Sequence, residues 1–374
     1  MEKCLVTKLN GTVNNSSILR LGEMRFKVGK VDVPTEGTQL VGLFVNTPSK
    51  VEIIGDGYFT NKTLTENKGK SITVDKTTNG VFVSSDNDVE IALLNKYAIT
   101  SVASSYVGQP SSTVNSSNKA FNIDELKYSS DLTKIILSNS KMSGDIETLK
   151  NLTALTILSA NNTQVIGDIE TLKNLTALSN IELDNTKVSG DIEALKNLVE
   201  LTKVRFQNTK VQGNISNLSN LTKCSEINLY NNGCYGDISS LSKLTKLTRF
   251  ICYNMSGNLA SLTALSELRI LEIEKSTVTG DIATLPAKTV FFNASGNTST
   301  FTWSSRSSSS CIISIYGRPK ISNIDKMLQD QANCVIPENI GNKTITATGT
   351  RTSASDAAVA TLQQNGYTVS ITPA

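Results

Sequence analysis

Between residues 132 and 285 one tripeptide returns at near-constant intervals: Gly144-Asp145-Ile146, Gly167-Asp168-Ile169, Gly190-Asp191-Ile192, Gly213-Asn214-Ile215, Gly236-Asp237-Ile238, Gly257-Asn258-Leu259 and Gly280-Asp281-Ile282. Successive glycines are 23 residues apart at every step but one, which is 21. A period of this size, kept through seven copies, constrains the chain more than any other feature. It is the signature of a solenoid, in which each unit packs only on its neighbours.

The third copy shows the unit most clearly: Leu178, Ile181, Leu183, Asn185, Val188, Gly190, Ile192, Leu195 and Leu198, or LxxLxLxNxxVxGxIxxLxxL. Leu178, Ile181 and Leu183 cannot be buried within one short unit, so the copies must stack and share a core. Asn180, Glu182 and Asp184 alternate with them and point to the opposite face of a strand. The pattern resembles the leucine-rich repeat family, in the variant with an extra short strand after the Asn. The resemblance implies an α/β solenoid with a concave sheet for recognition.

Asn139, Asn162, Asn185, Asn208, Asn231 and Asn254 form a ladder expected to be buried and to bond the backbone of the adjacent turn. Lys275 interrupts it in the last regular copy. Each Gly suits a tight bend. The residue after it (Asp145, Asp168, Asp191, Asn214, Asp237, Asn258, Asp281) suits an N-cap for a short helical turn. A row of bound divalent cations is the rival reading of these carboxylates. It is disfavoured because Asn214 and Asn258 keep capping ability and lose the charge. Lys150, Lys173 and Lys196 read as a solvated convex row.

Either side of the array the composition changes. Residues 1–104 read as a separate all-β, sandwich-like domain, with short β-branched runs divided by turn clusters such as Gly55-Asp56-Gly57 and Thr78-Asn79-Gly80. Residues 105–120, rich in Ser with Gly and Pro, read as a flexible linker. Residues 121–128 are expected to form a short amphipathic helix opening the array at 121–290. Residues 291–374 are expected to be irregular β-α units forming a C-terminal cap. Within them strands are expected near 311–316, 344–348 and 367–371, with helices near 323–331 and 355–364.

The chain has no histidine, which removes the usual neutral-pH base and the commonest metal ligand. It also lacks a GxSxG elbow, a phosphate-binding loop and a GxGxxG turn. A non-enzymatic protein is expected, with no catalytic residue, cofactor or metal. The net charge of +3 gives no field that argues for nucleic acid. No apolar run reaches membrane-spanning length, so no membrane insertion is expected. The opening residues lack a secretory apolar core, and production in a cytoplasm is expected. Cys224, Cys234 and Cys252 occupy core positions held elsewhere by Leu201, Val211 and Leu229, and read as buried free thiols. Cys4, Cys311 and Cys334 are scattered without zinc-like spacing.

The opening run Cys4-Leu-Val-Thr-Lys-Leu-Asn-Gly-Thr-Val13, with residues 19–26 and Val51-Glu-Ile-Ile-Gly-Asp-Gly57, resembles the N-terminal module of structural proteins from phages of Bacteroides-type bacteria, including the crAss-like group. It implies a virion head- or tail-fibre protein anchored to other virion proteins by this module and oligomeric with itself or with them. The array would then be displayed towards a host-surface glycan or protein. The alternatives are a secreted or surface adhesin of a gut bacterium and a structural spacer with no ligand. The concave face offers one candidate ligand-binding patch: Arg205, Asn228, Tyr230, Arg249 and Tyr253, two rings flanked by amide and guanidinium groups. Ile136, Ile157, Ile251 and Ile270 are expected to be exposed apolar residues on the same face.

Overall fold

A computed structural model describes residues 24–28, 42–45, 49–54, 58–60, 67–74, 82–84, 89–93, 99–103, 119–126, 132–139, 141–334 and 343–374. The repeats stack as a solenoid of leucine-rich-repeat type. In its main sheet the strands Lys134–Ile136, Ile157–Ser159, Asn180–Glu182, Lys203–Arg205, Glu226–Leu229, Arg249–Tyr253 and Ile270–Glu274 pair in parallel, each with the next in sequence. Phe291–Asn293, Ser314–Tyr316, Thr344–Thr348 and Thr368–Thr372 continue the same sheet, so the stacking does not stop where the tripeptide does. Inward residues of every copy, among them Leu158, Ile181, Val204, Ile227, Phe250 and Leu271, are fully buried in one continuous core.

The extra strand implied by the Gly-containing element is present. Lys141–Asp145, Gln164–Asp168, Lys187–Asp191, Lys210–Asn214, Gly233–Asp237 and Met255–Ser256 pair in parallel as a second sheet. This sheet ends at the copy that lost two residues, and beyond it only an isolated bridge joins Asn258 to Thr279. The next such strand, Gly280–Asp281, runs through Thr300–Thr302 and Lys320–Ile321 to meet Thr344–Thr348 of the main sheet.

Each second-sheet strand leads into a single 3-10 turn. All seven cap side chains, Asp145, Asp168, Asp191, Asn214, Asp237, Asn258 and Asp281, accept the backbone N–H two residues on. One oxygen of each is thereby committed to the fold, and among the described residues no cluster of three His, Cys, Asp or Glu is placed to hold a metal. The lysines of the neighbouring row pair with carboxylates one turn back: Lys150 with Glu147 at 2.7 Å, Lys173 with Glu170 at 2.5 Å and Lys196 with Glu193 at 2.7 Å. Such exposed pairs add little stability.

The Asn ladder corrects the expectation of buried amides. Asn139, Asn162, Asn185, Asn208, Asn231 and Asn254 are exposed and left-handed, with φ between 53° and 58°. Their amides bond one another instead. Nδ2 of Asn162, Asn185, Asn208 and Asn231 donates to Oδ1 of the preceding Asn at 2.6, 2.6, 2.7 and 2.9 Å. Asparagine is selected because it tolerates the left-handed region that the bend requires. Lys275 occupies the equivalent place and is forced into the same region, at φ 49°.

The N-terminal strands are not set apart from the array. Ile99–Ala103 pairs in parallel with the first repeat strand and carries Gly42–Val45 on its other side. Lys119–Asn122, partly assigned to the linker, pairs with Lys141–Asp145 and with Met24–Val28. Met24–Val28 in turn pairs with Val89–Leu93, which pairs with Ser49–Ile54. Both solenoid sheets thus extend into the opening residues, where an isolated sandwich was expected; a first repeat strand left bare would have been an open edge. In place of the helix expected at 121–128 there is the end of a strand and a 3-10 turn, Ile123–Leu126, whose Asp124 N–H is accepted by Asn122 at 2.9 Å. Phe121-Asn122-Ile123 is therefore a degenerate eighth copy of the tripeptide, exactly one period upstream of Gly144, with Phe in place of Gly. Cys4 and the rest of the quoted 4–13 run lie outside the described residues.

Towards the C-terminus the 3-10 turns lengthen into two helices, α1 (Ile324–Ala332) and α2 (Asp356–Gln364). Arg306 is buried beneath this region. Its guanidinium donates to the carbonyls of Ala283, Leu285 and Pro286 at 3.1, 2.7 and 2.9 Å, and to that of Ser310. Cys311 and Cys334 form a disulfide that the sequence reading did not anticipate, while Cys224, Cys234 and Cys252 are buried free thiols. Burial pushes the Cys224 and Cys234 thiols up to about 12, which leaves them inert at neutral pH.

Candidate binding face

Strand alternation places one set of side chains from the main sheet in the core and the other on its outer face. Three rows run across that face. One contains Asn180, Lys203, Glu226, Arg249 and Ile270; the next contains Glu182, Arg205, Asn228, Ile251 and Glu272. The third carries Asp184, Gln207, Tyr230, Tyr253 and Glu274, with Tyr253 in register with Glu274.

The cations of this face are tied to carboxylates on neighbouring strands. Arg205 donates from Nε to Asp184 at 2.7 Å, its Nη2 is 2.6 Å from the same oxygen, and its Nη1 lies 3.6 Å from Glu226. Lys203 is 3.6 Å from Glu182, and Arg249 is 3.7 Å from Glu272. Asp184 is 3% exposed, and burial pushes its carboxyl above the ordinary range although the Gln207 N–H and Arg205 pull it down. Burial likewise raises Glu272, against the Asn293 amide and Arg249. Asn293 spans Glu272 and Glu274, donating at 3.4 and 2.9 Å. The Nε of Arg249 is buried and has no hydrogen-bond partner among the described residues.

Tyr230 and Tyr253 meet edge to face, with ring centroids 4.7 Å apart. The Lys275 ammonium sits 4.9 Å from the Tyr253 ring, a cation–π distance. Burial and the Tyr230 hydroxyl raise the Tyr253 phenol well above its ordinary value. Three strands beyond Tyr253, in the row that runs through Ile251, Glu272 and Asn293, Tyr316 is half exposed.

The five residues singled out from sequence fall on three successive strands of this one face. Of these, the structure brings Tyr230 and Tyr253 into contact and leaves Tyr230, Arg205 and Arg249 partly exposed. Asn228 is 2% exposed and spends its amide on Gln207 and on the Tyr230 N–H, so it buttresses the ring from below. Ile251, expected to be exposed, is 4% exposed; it lies between Asn228 and Glu272 in its row and between Arg249 and Tyr253 along its strand. Ile136, Ile157 and Ile270 are half-buried. Asp184, Glu226 and Glu272, which alternation already placed on the outer face, were left out of the patch, as were Asn293, Lys275 and Tyr316. The signal available for the carboxylates was opposite charge one repeat away on an adjacent row.

No protein-family model and no curated protein sequence matches the chain. Solved structures do resemble it. An internalin, InlF, from Listeria monocytogenes is 17% identical, with 75% of this chain and 85% of that one covered and a TM-score of 0.47. The plant peptide hormone receptor RGFR1, in complex with RGF2, is 17% identical over 67% of this chain and 49% of its own, with a TM-score of 0.41. A plant ice-binding protein is 17% identical over 54% and 67%, with a TM-score of 0.41. The chain spans 49% and 40% of the length of two of the plant receptor ectodomains. At these identities the likenesses say nothing of a ligand, and the solenoid is established by its own strand register.

Proposed function

We propose that the chain is a non-enzymatic recognition protein whose main-sheet face, between Lys203 and Tyr316, binds a protein or a surface glycan. One observation carries this reading. Stacking needs only the inward residues, yet the outward ones here are large, aromatic or charged, and from Lys203 to Lys275 the charges and the two rings are held in place by one another. Rings and charges fixed before binding lose little freedom on binding, which is how a rigid surface gains affinity. Arg205 and Arg249 then act chiefly by orienting the face, and Tyr230 and Tyr316 offer the contact area. Binding of labelled protein to cells of the source culture tests this. A Tyr230→Ala, Tyr316→Ala double variant should lose binding while keeping its thermal stability; full binding by that variant would leave the array a spacer.

The setting we propose is a virion appendage, anchored through the opening residues that resemble phage structural proteins. A surface or secreted adhesin is the second reading, favoured by the Cys311–Cys334 disulfide, because such bonds persist in oxidising surroundings. Mass spectrometry of density-purified phage particles and of cell envelopes separates the two. Structural-protein abundance in particles supports the first, and presence in envelopes alone supports the second.

A further inference from the structure

Among the described residues the strand Thr368–Thr372 is an edge of the main sheet and pairs on one side only, with Thr344–Thr348. The Thr368 N–H donates to the Lys343 carbonyl at 2.9 Å, and the Thr372 carbonyl accepts from the Gly349 N–H at 2.9 Å. In a parallel ladder the bonding residues alternate, so Thr368, Ser370 and Thr372 direct their backbone groups inward to the neighbouring strand. Val369 and Ile371 direct theirs to the free edge. Exposed edges of native sheets are usually blunted by a charge, a proline or a bulge. This one has none within its five residues; Pro373 follows only after the strand has ended.

The sequence of the edge is also symmetric in chemical type about its centre: Thr368, Val369, Ser370, Ile371, Thr372. We propose that this edge is the contact between two copies of the chain, paired antiparallel about a two-fold axis through Ser370. Val369 of one copy then faces Ile371 of the other in both halves, and each pair exchanges two N–H···O bonds through the groups left free. Ser370 faces its own symmetry mate in the intervening non-bonded position, flanked by Thr368–Thr372 hydroxyl pairs on the same face. Val369 and Ile371, which are half-buried and packed against the last of the core, are covered by their counterparts. The contact is isologous and closes at two copies. It joins the two main sheets side by side, so that the proposed recognition faces continue across the junction.

Sedimentation of the full chain over a concentration series should show a reversible monomer–dimer equilibrium and nothing larger. Ile371→Pro removes an N–H aimed at the free edge and none aimed at Thr344–Thr348, a position where an edge strand accepts proline. It should weaken association by about tenfold or more, since two of the four bonds are lost across the symmetric contact. Ser370→Cys tests the register independently of proline. Mild oxidation should link it rapidly to its own copy, because a non-bonded antiparallel pair has the spacing a disulfide needs. Thr372→Cys, displaced from the axis, should not link. A monomer at the highest soluble concentration overturns the proposal. So do Ser370→Cys and Thr372→Cys linking equally, or a ladder of species larger than two chains, which would mean end-to-end pairing.

Discussion

Gly190 lies against the Asp168 carboxylate so closely that a Cβ on the glycine would sit 2.1 Å from Oδ1. The same contact recurs between Gly167 and Asp145, at 2.2 Å, and between Gly213 and Asp191, at 2.4 Å. The glycine of one copy is thus fitted to the helix cap of the copy before it. The tripeptide is one joint built from two neighbours rather than two separate local preferences.

Gly190→Ala should therefore cost about 2–4 kcal/mol, combining backbone strain at φ +116° with displacement of a cap. Asp168→Ala alone should cost about 1 kcal/mol. Chemical denaturation of both variants and the double variant should show them to be non-additive, because removing the carboxylate makes room for the alanine. Strict additivity would mean that the clash is relieved elsewhere.

The asparagine ladder separates backbone from side-chain contributions. Asn208→Gly keeps the left-handed turn and loses the amide bonds to Asn185 and Asn231, and should cost less than 1 kcal/mol. Asn208→Ala adds a strained φ and should cost about 1–2 kcal/mol more. Equal losses for the two variants would place the whole effect in the amides.

The Glu272 carboxyl is raised by burial, so the folded chain takes up its proton before the unfolded chain does. Its contribution therefore favours folding as pH falls from neutrality towards the ordinary carboxylate range, and is lost as pH rises through the folded value. Glu272→Gln should remove that slope, which urea titrations at a series of pH values would detect. Persistence of the slope in the variant would assign it to another carboxyl, Asp184 first.

Most of the solenoid was legible because its period is set by packing. A buried leucine in every copy, a bend and a cap are local demands repeated in register, and they identify strands and turns directly. In the last segment the start signal Asp356 and the stop signal Gly366 pointed to a helix near 355–364, where α2 lies. The eighth tripeptide at Phe121-Asn122-Ile123 was missed because Phe stands where every other copy has Gly. The candidate face was half legible. Alternation names which residues point outward, but whether Arg205 meets a carboxylate or a ligand depends on stagger between strands, which the sequence does not print. The exposure of the asparagine ladder was missed for the same reason: its partners are other asparagines one turn away.

Arg306 is predicted to hold the end of the array. Burial lowers its guanidinium to about 10, yet it still donates to four carbonyls, three in or just after the 3-10 turn Ile282–Thr284 and the fourth, that of Ser310, in its own loop. Arg306→Met should cost about 3 kcal/mol through carbonyls left without donors. Hydrogen exchange should rise around residues 283–286 before the central repeats are affected. Uniform loosening along the chain would contradict a local role.

The Cys311–Cys334 disulfide closes a span of 23 residues over the same region, worth about 3 kcal/mol by restriction of the unfolded chain. A Cys311→Ser, Cys334→Ser variant and the reduced wild type should lose stability equally. A loss on reduction in the double variant as well would point to a different sulfur.

The copy that lost two residues has a wider consequence. Arg249–Tyr253 and Ile270–Glu274 still pair along five positions, while the second sheet stops at Met255–Ser256. A change in chain length has been absorbed wholly on one side of the coil. The outer face of the main sheet therefore behaves as a fixed lattice whose pitch is insulated from insertions and deletions. Lineages of such a chain can alter what the lattice displays by point substitution, and can lengthen or trim the opposite side without moving any site on it.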